Sequence, residues 1–230
     1  IPVAAGAFDA HLGAVGSGIR PGTMVQVLGT SACDLAVAPL ENAPDDLPGV
    51  CGVVPESILP GCLGIEAGQS AVGDIYHWFV HTIQPGGMDH EALNRAAAEQ
   101  QPGESGLLAL DWHNGNRTVL IDPRLTGLIL GLTLRSTPAE IYRALVEATA
   151  FGARVIRDRL AESSIPIEQV INCGGIARKS PLAMQIYADV LNCPMRISAA
   201  DETCALGSAM AGAVAAGIYP DFDEAARAMT

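Results

Sequence analysis

The chain has 230 residues, 49% of them hydrophobic and 17% charged, with a net charge of −12. Such a chain buries one sizeable core, which excludes a disordered or fibrous polymer. The acidic balance argues against nucleic-acid or anionic-membrane partners, since both need clustered Lys and Arg. Any phosphate must be held locally, by backbone N–H groups, helix N-termini or a metal ion. The six cysteines, Cys33, Cys51, Cys62, Cys173, Cys193 and Cys204, form no Cys-x-x-Cys pair and no Cys/His ligand spacing. That fits reduced thiols in a soluble cytoplasmic protein rather than a metal cluster. The longest small-residue run, 205–216, is too short and glycine-rich for a membrane span.

In chain order, Ile1 to His11 opens without Met on a strand-like apolar run, from which a fragment lacking an N-terminal domain is expected. Met24 to Leu28 and Leu35 to Ala38 read as strands joined by Gly29-Thr30-Ser31, giving a hairpin. Pro39 to Pro48 reads as a loop, and Gly52 to Val54 as one arm of a second hairpin whose other arm precedes Gly61. Over Ala67 to Ile83 the period changes, with Val72, Ile75, Tyr76, Phe79 and Val80 at helical spacing up to Gln84-Pro85-Gly86-Gly87. A further helix covers Asp89 to Gln101. Leu107 to Leu110 and Thr118 to Ile121 read as strands bracketing the turn-like His113-Asn114-Gly115-Asn116, an excursion that carries Asp111 and Trp112.

Thr137-Pro138-Ala139-Glu140 is a capping box with Pro at the first helical position, opening a core helix to about Leu160. The tail reads as strand (Gln169 to Asn172), helix (Pro181 to Leu191), strand (Met195 to Ser198) and a small-residue helix (Cys204 to Ala216) stopped by Gly217. Between the strand Gln169 to Asn172 and the helix that follows lies Cys173-Gly174-Gly175-Ile176-Ala177-Arg178-Lys179-Ser180-Pro181. Two glycines let a ligand lie against the backbone, and Ser180 caps a helix whose free N–H groups face the turn. Taken alone this also describes an ordinary α/β connection. Likewise Asp9 after a glycine-containing run reads as a turn former, Gly29-Thr30-Ser31 as a small-residue turn, and Glu66 as a carboxylate at a helix N-terminus. His11, His77, His81, Trp78 and Trp112 belong to no motif that gives them chemistry.

Five segments together carry a resemblance: Gly-Ala-Phe-Asp-Ala-His at 6–11, Leu-Gly-Thr-Ser at 28–31, Gly-Ile-Glu-Ala-Gly-Gln-Ser-Ala-Val-Gly-Asp at 64–74, Cys-Gly-Gly-Ile-Ala-Arg-Lys at 173–179 and Cys-Ala-Leu-Gly-Ser-Ala at 204–209. In order and approximate spacing the chain resembles the C-terminal domain of the FGGY carbohydrate kinases, over residues 1–230 with an excursion near 85–130. The resemblance implies an α/β fold of the actin-like, ribonuclease-H-like ATPase class, as the C-terminal half of a two-domain sugar kinase.

The resemblance also implies roles. Asp9 would be the general base that takes the proton of the attacking sugar hydroxyl. Glu66 would bind the sugar, and Gly29, Thr30 and Ser31, with Gly68, would hold phosphates. Gly174 and Gly175 would face adenosine and its phosphates, with Lys179 and Ser180 near the base or ribose. The implied cofactors are ATP and Mg²⁺, and the implied substrate is a ketopentose, L-ribulose converted to L-ribulose 5-phosphate in arabinose catabolism. The implied partner is the N-terminal kinase domain, which carries the Mg²⁺-binding carboxylate and most of the sugar pocket; a homo-oligomer stays open. Without that half the chain is expected to bind nucleotide but not to turn over sugar. Xylulose or another polyol as substrate, and a non-catalytic actin-like nucleotide-binding or interaction domain, remain the alternatives.

Overall fold

The computed structural model describes residues 1–44 and 46–230. At its centre is a six-stranded sheet. β1 (Thr23–Leu28) turns through Gly29–Ser31 into the antiparallel β2 (Ala32–Pro39); β3 (Gly52–Pro55) and β4 (Cys62–Gln69) follow, and the strands lie in the order β3-β4-β2-β1-β7-β8. β7 (Gln169–Cys173) and β8 (Met195–Ile197) run parallel to β1. Parallel neighbours need a crossover, and the helices supply it. β5 (Leu108–Leu110) and β6 (Leu128–Leu130) form a separate two-stranded ribbon.

Helices cover both faces. Against Val25, Leu35 and Cys173 lie α1 (Asp9–Gly16), α7 (Thr203–Ala215) and α8 (Phe222–Met229). Against Met24, Leu28, Ala36 and Val170 lie α2 (Gly73–Trp78), α3 (His90–Ala98), α4 (Pro138–Glu162) and α6 (Pro181–Leu191), with the short α5 (Gly175–Lys179) between β7 and α6. The alternation of strand side chains between these two clusters is the period of two expected of a sheet buried on both sides. α1 and α7 touch backbone to backbone: a Cβ on Gly16 would collide with the Thr203 carbonyl and one on Gly207 with that of Leu12.

Several elements match the sequence reading. The Thr137–Glu140 capping box is formed on both sides, with the Thr137 hydroxyl accepting from the Glu140 N–H at 3.3 Å and the Glu140 carboxylate from the Thr137 N–H. α6 starts at Pro181 behind its Ser180 cap, as expected.

Other expectations are corrected. Residues 1–8 form no strand, because no partner lies beside them; the chain is irregular until α1 begins at Asp9. The helix expected from Ala67 begins at Gly73. β2 pairs with β4 through Ala32↔Gln69, and this ladder claims Ala67 to Gln69 as strand. After it the chain turns under the β1–β2 loop and enters α2, which gives way at Phe79–Ile83 to a π-turn. β3 pairs with β4, beyond Gly61, rather than with the residues before it. Thr118 to Ile121 is not a strand either: β5 pairs with β6, and Thr118 is buried against Gly68. The expected 39–48 loop carries a short 3₁₀ turn at Leu40–Asn42, and Asp45 within it lies outside the described residues. α5 and α8 were not legible as helices.

Candidate functional site

The parallel pair β1–β7 sets the site. Both strands end on glycine at the same edge of the sheet, in register from Thr23↔Gln169 to Val27↔Cys173. Gly174 leaves β7 with φ 92° and ψ 176°, a conformation essentially reserved for glycine. A Cβ there would stand 2.5 Å from the Leu28 carbonyl, so only glycine lets the β7–α5 turn cross the end of β1. The β1–β2 loop is held from the other side by the start of α2. The Gly73 N–H donates to the Gly29 carbonyl at 3.0 Å, and those of Val72 and Asp74 to the Thr30 carbonyl at 2.8 and 3.1 Å.

The two glycine turns thus border one open cleft of about 980 Å³, lined among others by Gly29, Thr30, Gly175, Lys179, Asn94 and Tyr142. That volume suits a nucleotide-sized ligand. Its far wall is tied together by Ser180: the hydroxyl donates to Asn94 Oδ1 at 2.5 Å and accepts from the Ala183 N–H at 3.1 Å. Asn94 Nδ2 donates to the His90 carbonyl and, at 3.2 Å, to the Tyr142 hydroxyl. Arg178 turns away from the cleft and donates to the Ser198 and Ala200 carbonyls, with Asp201 at 2.6 Å. Lys179 is therefore the basic side chain of this pair that borders the cleft. His90, also on the wall, is pushed down from the ordinary histidine range by burial and then by the neighbouring His81 and His77.

Glu66 and Asp9 lie on the α1 face. Glu66 is on β4, opposite Leu35, not at a helix N-terminus as a bare sequence reading allows. His11 Nε2 stands 3.2 Å from one of its carboxylate oxygens and Arg117 3.9 Å from the other. His11 Nδ1 faces the Ser57 carbonyl at 3.1 Å, so both partners of the ring are acceptors. Asp9 occupies the exposed first turn of α1, two residues before His11, and accepts from the Ala10 N–H at 2.8 Å. A carboxylate there is favoured by the helix dipole.

Gly68 is placed differently from the expectation. It lines a smaller cavity of about 200 Å³ with Arg117 and Thr118, not the cleft, and its N–H is already donated to the Thr118 hydroxyl at 2.9 Å. Two residues thus emerge that sequence reasoning passed over, His11 and Arg117, both through contacts made only in the folded chain. Arg117 also donates to the Ala32 and Ala67 carbonyls, at 3.2 and 3.1 Å, bracing the strands under Glu66.

Under the cleft the sheet carries a buried polar pair. Gln26 Nε2 donates to Asp34 Oδ1 at 2.8 Å. Burial pushes the Asp34 carboxyl up to about 6, against the Gln26 hydrogen bond and the charge of Arg117.

The domain described as the FGGY family of carbohydrate kinases, C-terminal domain, matches residues 24–216. A ribulokinase from Anoxybacillus flavithermus is 50% identical over 99% of the chain and 42% of its own length, and one from Halalkalibacterium halodurans 46% over 100% and 43%. The chain therefore spans about two fifths of the length of these curated relatives. Among solved structures, the xylulose kinase of Rhodospirillum rubrum superposes with a TM-score of 0.84 at 26% identity, over 96% of this chain and 44% of that one. A Plasmodium falciparum glycerol kinase solved with ADP superposes at 0.77 and 18% identity, which shows the shared fold, an actin-like α/β ATPase half. The chain belongs to the FGGY family of carbohydrate kinases, as its C-terminal domain.

Proposed function

We propose that this chain is the nucleotide-binding half of an ATP-dependent ketopentose kinase, acting on L-ribulose to give L-ribulose 5-phosphate. The observation that carries the reading is the convergence of two glycine turns, from adjacent parallel strands, on one nucleotide-sized cleft. Adenosine lies between the Gly174-Gly175 turn and the α3–α4 wall, with Lys179 beside it. The phosphates run to Gly29-Thr30-Ser31, whose glycine lets them reach the backbone. The ribulokinase relatives, at 46–50% identity, support ribulose over other ketoses.

In this reading Glu66 accepts hydrogen bonds from sugar hydroxyls, held in place by His11 and Arg117. Asp9 accepts the proton of the attacking hydroxyl as its oxygen bonds to the γ-phosphorus and the bond to ADP breaks. The protein does little covalent work here, so positioning and charge supply the catalysis. Mg²⁺ is held by one or two carboxylates together with substrate phosphates rather than by an all-protein cage. The cation is carried by the phosphates and by carboxylates outside this chain.

The test is ATP-dependent phosphorylation of L-ribulose, D-ribulose and D-xylulose by the chain with its N-terminal half restored, beside the 230-residue chain alone. L-ribulose turnover confined to the restored enzyme is expected, with nucleotide bound by both. Asp9→Asn in the restored enzyme should lower kcat by roughly 10²–10⁴. Phosphorylation by the isolated chain, or no activity on any ketose, overturns the reading; the second result favours a non-catalytic nucleotide-binding domain.

A further inference from the structure

His77 and His81 are four residues apart, a spacing that puts two side chains on one face of a helix. His77 is in the last turn of α2, and His81 lies in the π-turn Phe79–Ile83, which closes with the Gln84 N–H on the Phe79 carbonyl at 3.1 Å. Such π-turns recur at functional sites. The two rings have centroids 4.3 Å apart. The first residue of α3 supplies a third ring, with His90 centred 5.8 Å from His81. One ring nitrogen from each of the three lies within 4.8 Å of the others. His77 and His81 are exposed, while His90 is partly buried against Tyr142. His77 and His90 both line the large cleft.

We propose that His77, His81 and His90 form a binding site for a divalent transition-metal ion of the zinc class, at the rim of that cleft. The donor set is three imidazoles, which suits Zn²⁺, Cu²⁺ or Ni²⁺ and not the oxygen-seeking Mg²⁺ or Ca²⁺. Tetrahedral Zn²⁺ with Zn–N bonds of about 2.0–2.1 Å holds its nitrogens about 3.4 Å apart. The exposed His77 and His81 rings cover the remaining distance by rotating about their own side-chain bonds. Three protein ligands leave a fourth position for water or for an occupant of the cleft, the open arrangement that separates reactive zinc sites from closed structural ones. The ion would also staple the π-turn to α3 across the Gly86-Gly87 loop. The segment between His81 and His90 would lose freedom, and that wall of the cleft would stiffen.

The experiment is a titration of the purified chain with Co²⁺, followed by visible absorption and then by displacement with Zn²⁺. One Co²⁺ per chain with the strong bands of a tetrahedral ion, bleached by Zn²⁺, is expected. His77→Gln and His81→Gln each remove those bands, with an unchanged far-ultraviolet dichroism spectrum showing that these exposed substitutions leave the fold intact. Zn²⁺ should also raise the melting temperature of the natural chain and not that of His81→Gln. A Co²⁺ spectrum that stays that of the aqueous ion overturns the proposal. So do bands that persist in a His77→Gln/His81→Gln double variant, or a sulfur-to-metal charge-transfer band that places the ion on the cysteines. None of these readouts uses nucleotide or sugar, so the metal site stands or falls apart from the kinase reading.

Discussion

Gly174 holds a backbone conformation worth roughly 1–3 kcal/mol of strain to any other residue, and a Cβ there would also press on the Leu28 carbonyl. Gly174→Ala is expected to lower the free energy of unfolding by about that amount and to weaken nucleotide binding, read by urea denaturation and by titration with a fluorescent ATP analogue. Unchanged values in both would mean that the turn does not depend on glycine. His11 and Glu66 make the second residue-scale case. A hydrogen bond to a charged group contributes about 1.5–3 kcal/mol, so His11→Gln in the restored two-domain enzyme should raise KM for L-ribulose by about tenfold or more, with a smaller effect on kcat. A fall in kcat alone would instead place His11 in the chemical step. Gly174 was legible from its neighbours, since Gly-Gly between a β-branched run and a Ser-Pro cap is a local pattern. The His11–Glu66 contact was not, because 55 residues separate the two and only the packing of α1 over the sheet unites them.

At the scale of elements, local chemistry decided helix starts and long-range pairing decided helix and strand limits. The 25-residue α4 begins where its capping box says it should. Thr137→Ala removes one bond of that box and should cost about 1 kcal/mol, or roughly 2–4 °C in melting temperature for a chain of this size. A loss below about 0.3 kcal/mol would show that packing of the apolar face alone fixes the start. Ala67 to Gln69 show the opposite control. Their spacing is compatible with a helix running on to Phe79, yet β2 offers a complete ladder and the strand takes them. Thr118 to Ile121 fail as a strand because no ladder forms: Val119 donates to the Gly49 carbonyl at 2.6 Å, and Val119 and Ile121 hold positive φ, outside the extended region. The His77–His81–His90 cluster was not read from the sequence: the first two belong to no motif, and the third arrives on another helix.

For the whole molecule, Asp34 couples stability to pH. Its folded pKa of about 6 lies above the 3.8 of an unfolded chain. Between these values the folded state binds more protons, so its contribution to stability is fully present below about pH 4 and lost as pH rises through 6. The loss is on the order of 3 kcal/mol, from about two units at 1.36 kcal/mol each. Asp34→Asn cannot ionise and should flatten the unfolding free energy across that window, measured by urea denaturation at successive pH values; an unchanged slope would remove Asp34 as the cause. The α/β class, the central hairpin and the two glycine turns were readable from periodicity and glycine placement. The order of the sheet was not, because it joins strands far apart in the chain. That order has a kinetic consequence. Thr23 and Gln169 are hydrogen-bonded across 146 residues of sequence, and the two glycine turns meet only when β1 and β7 have found one another. Closing so long a loop is a slow step, in which entropy is lost before contacts reward it. The cleft is thus among the last parts of the surface to exist as the chain folds. A ligand resting on both turns has nothing to hold before that point, so it lengthens the lifetime of the native state without hastening its arrival.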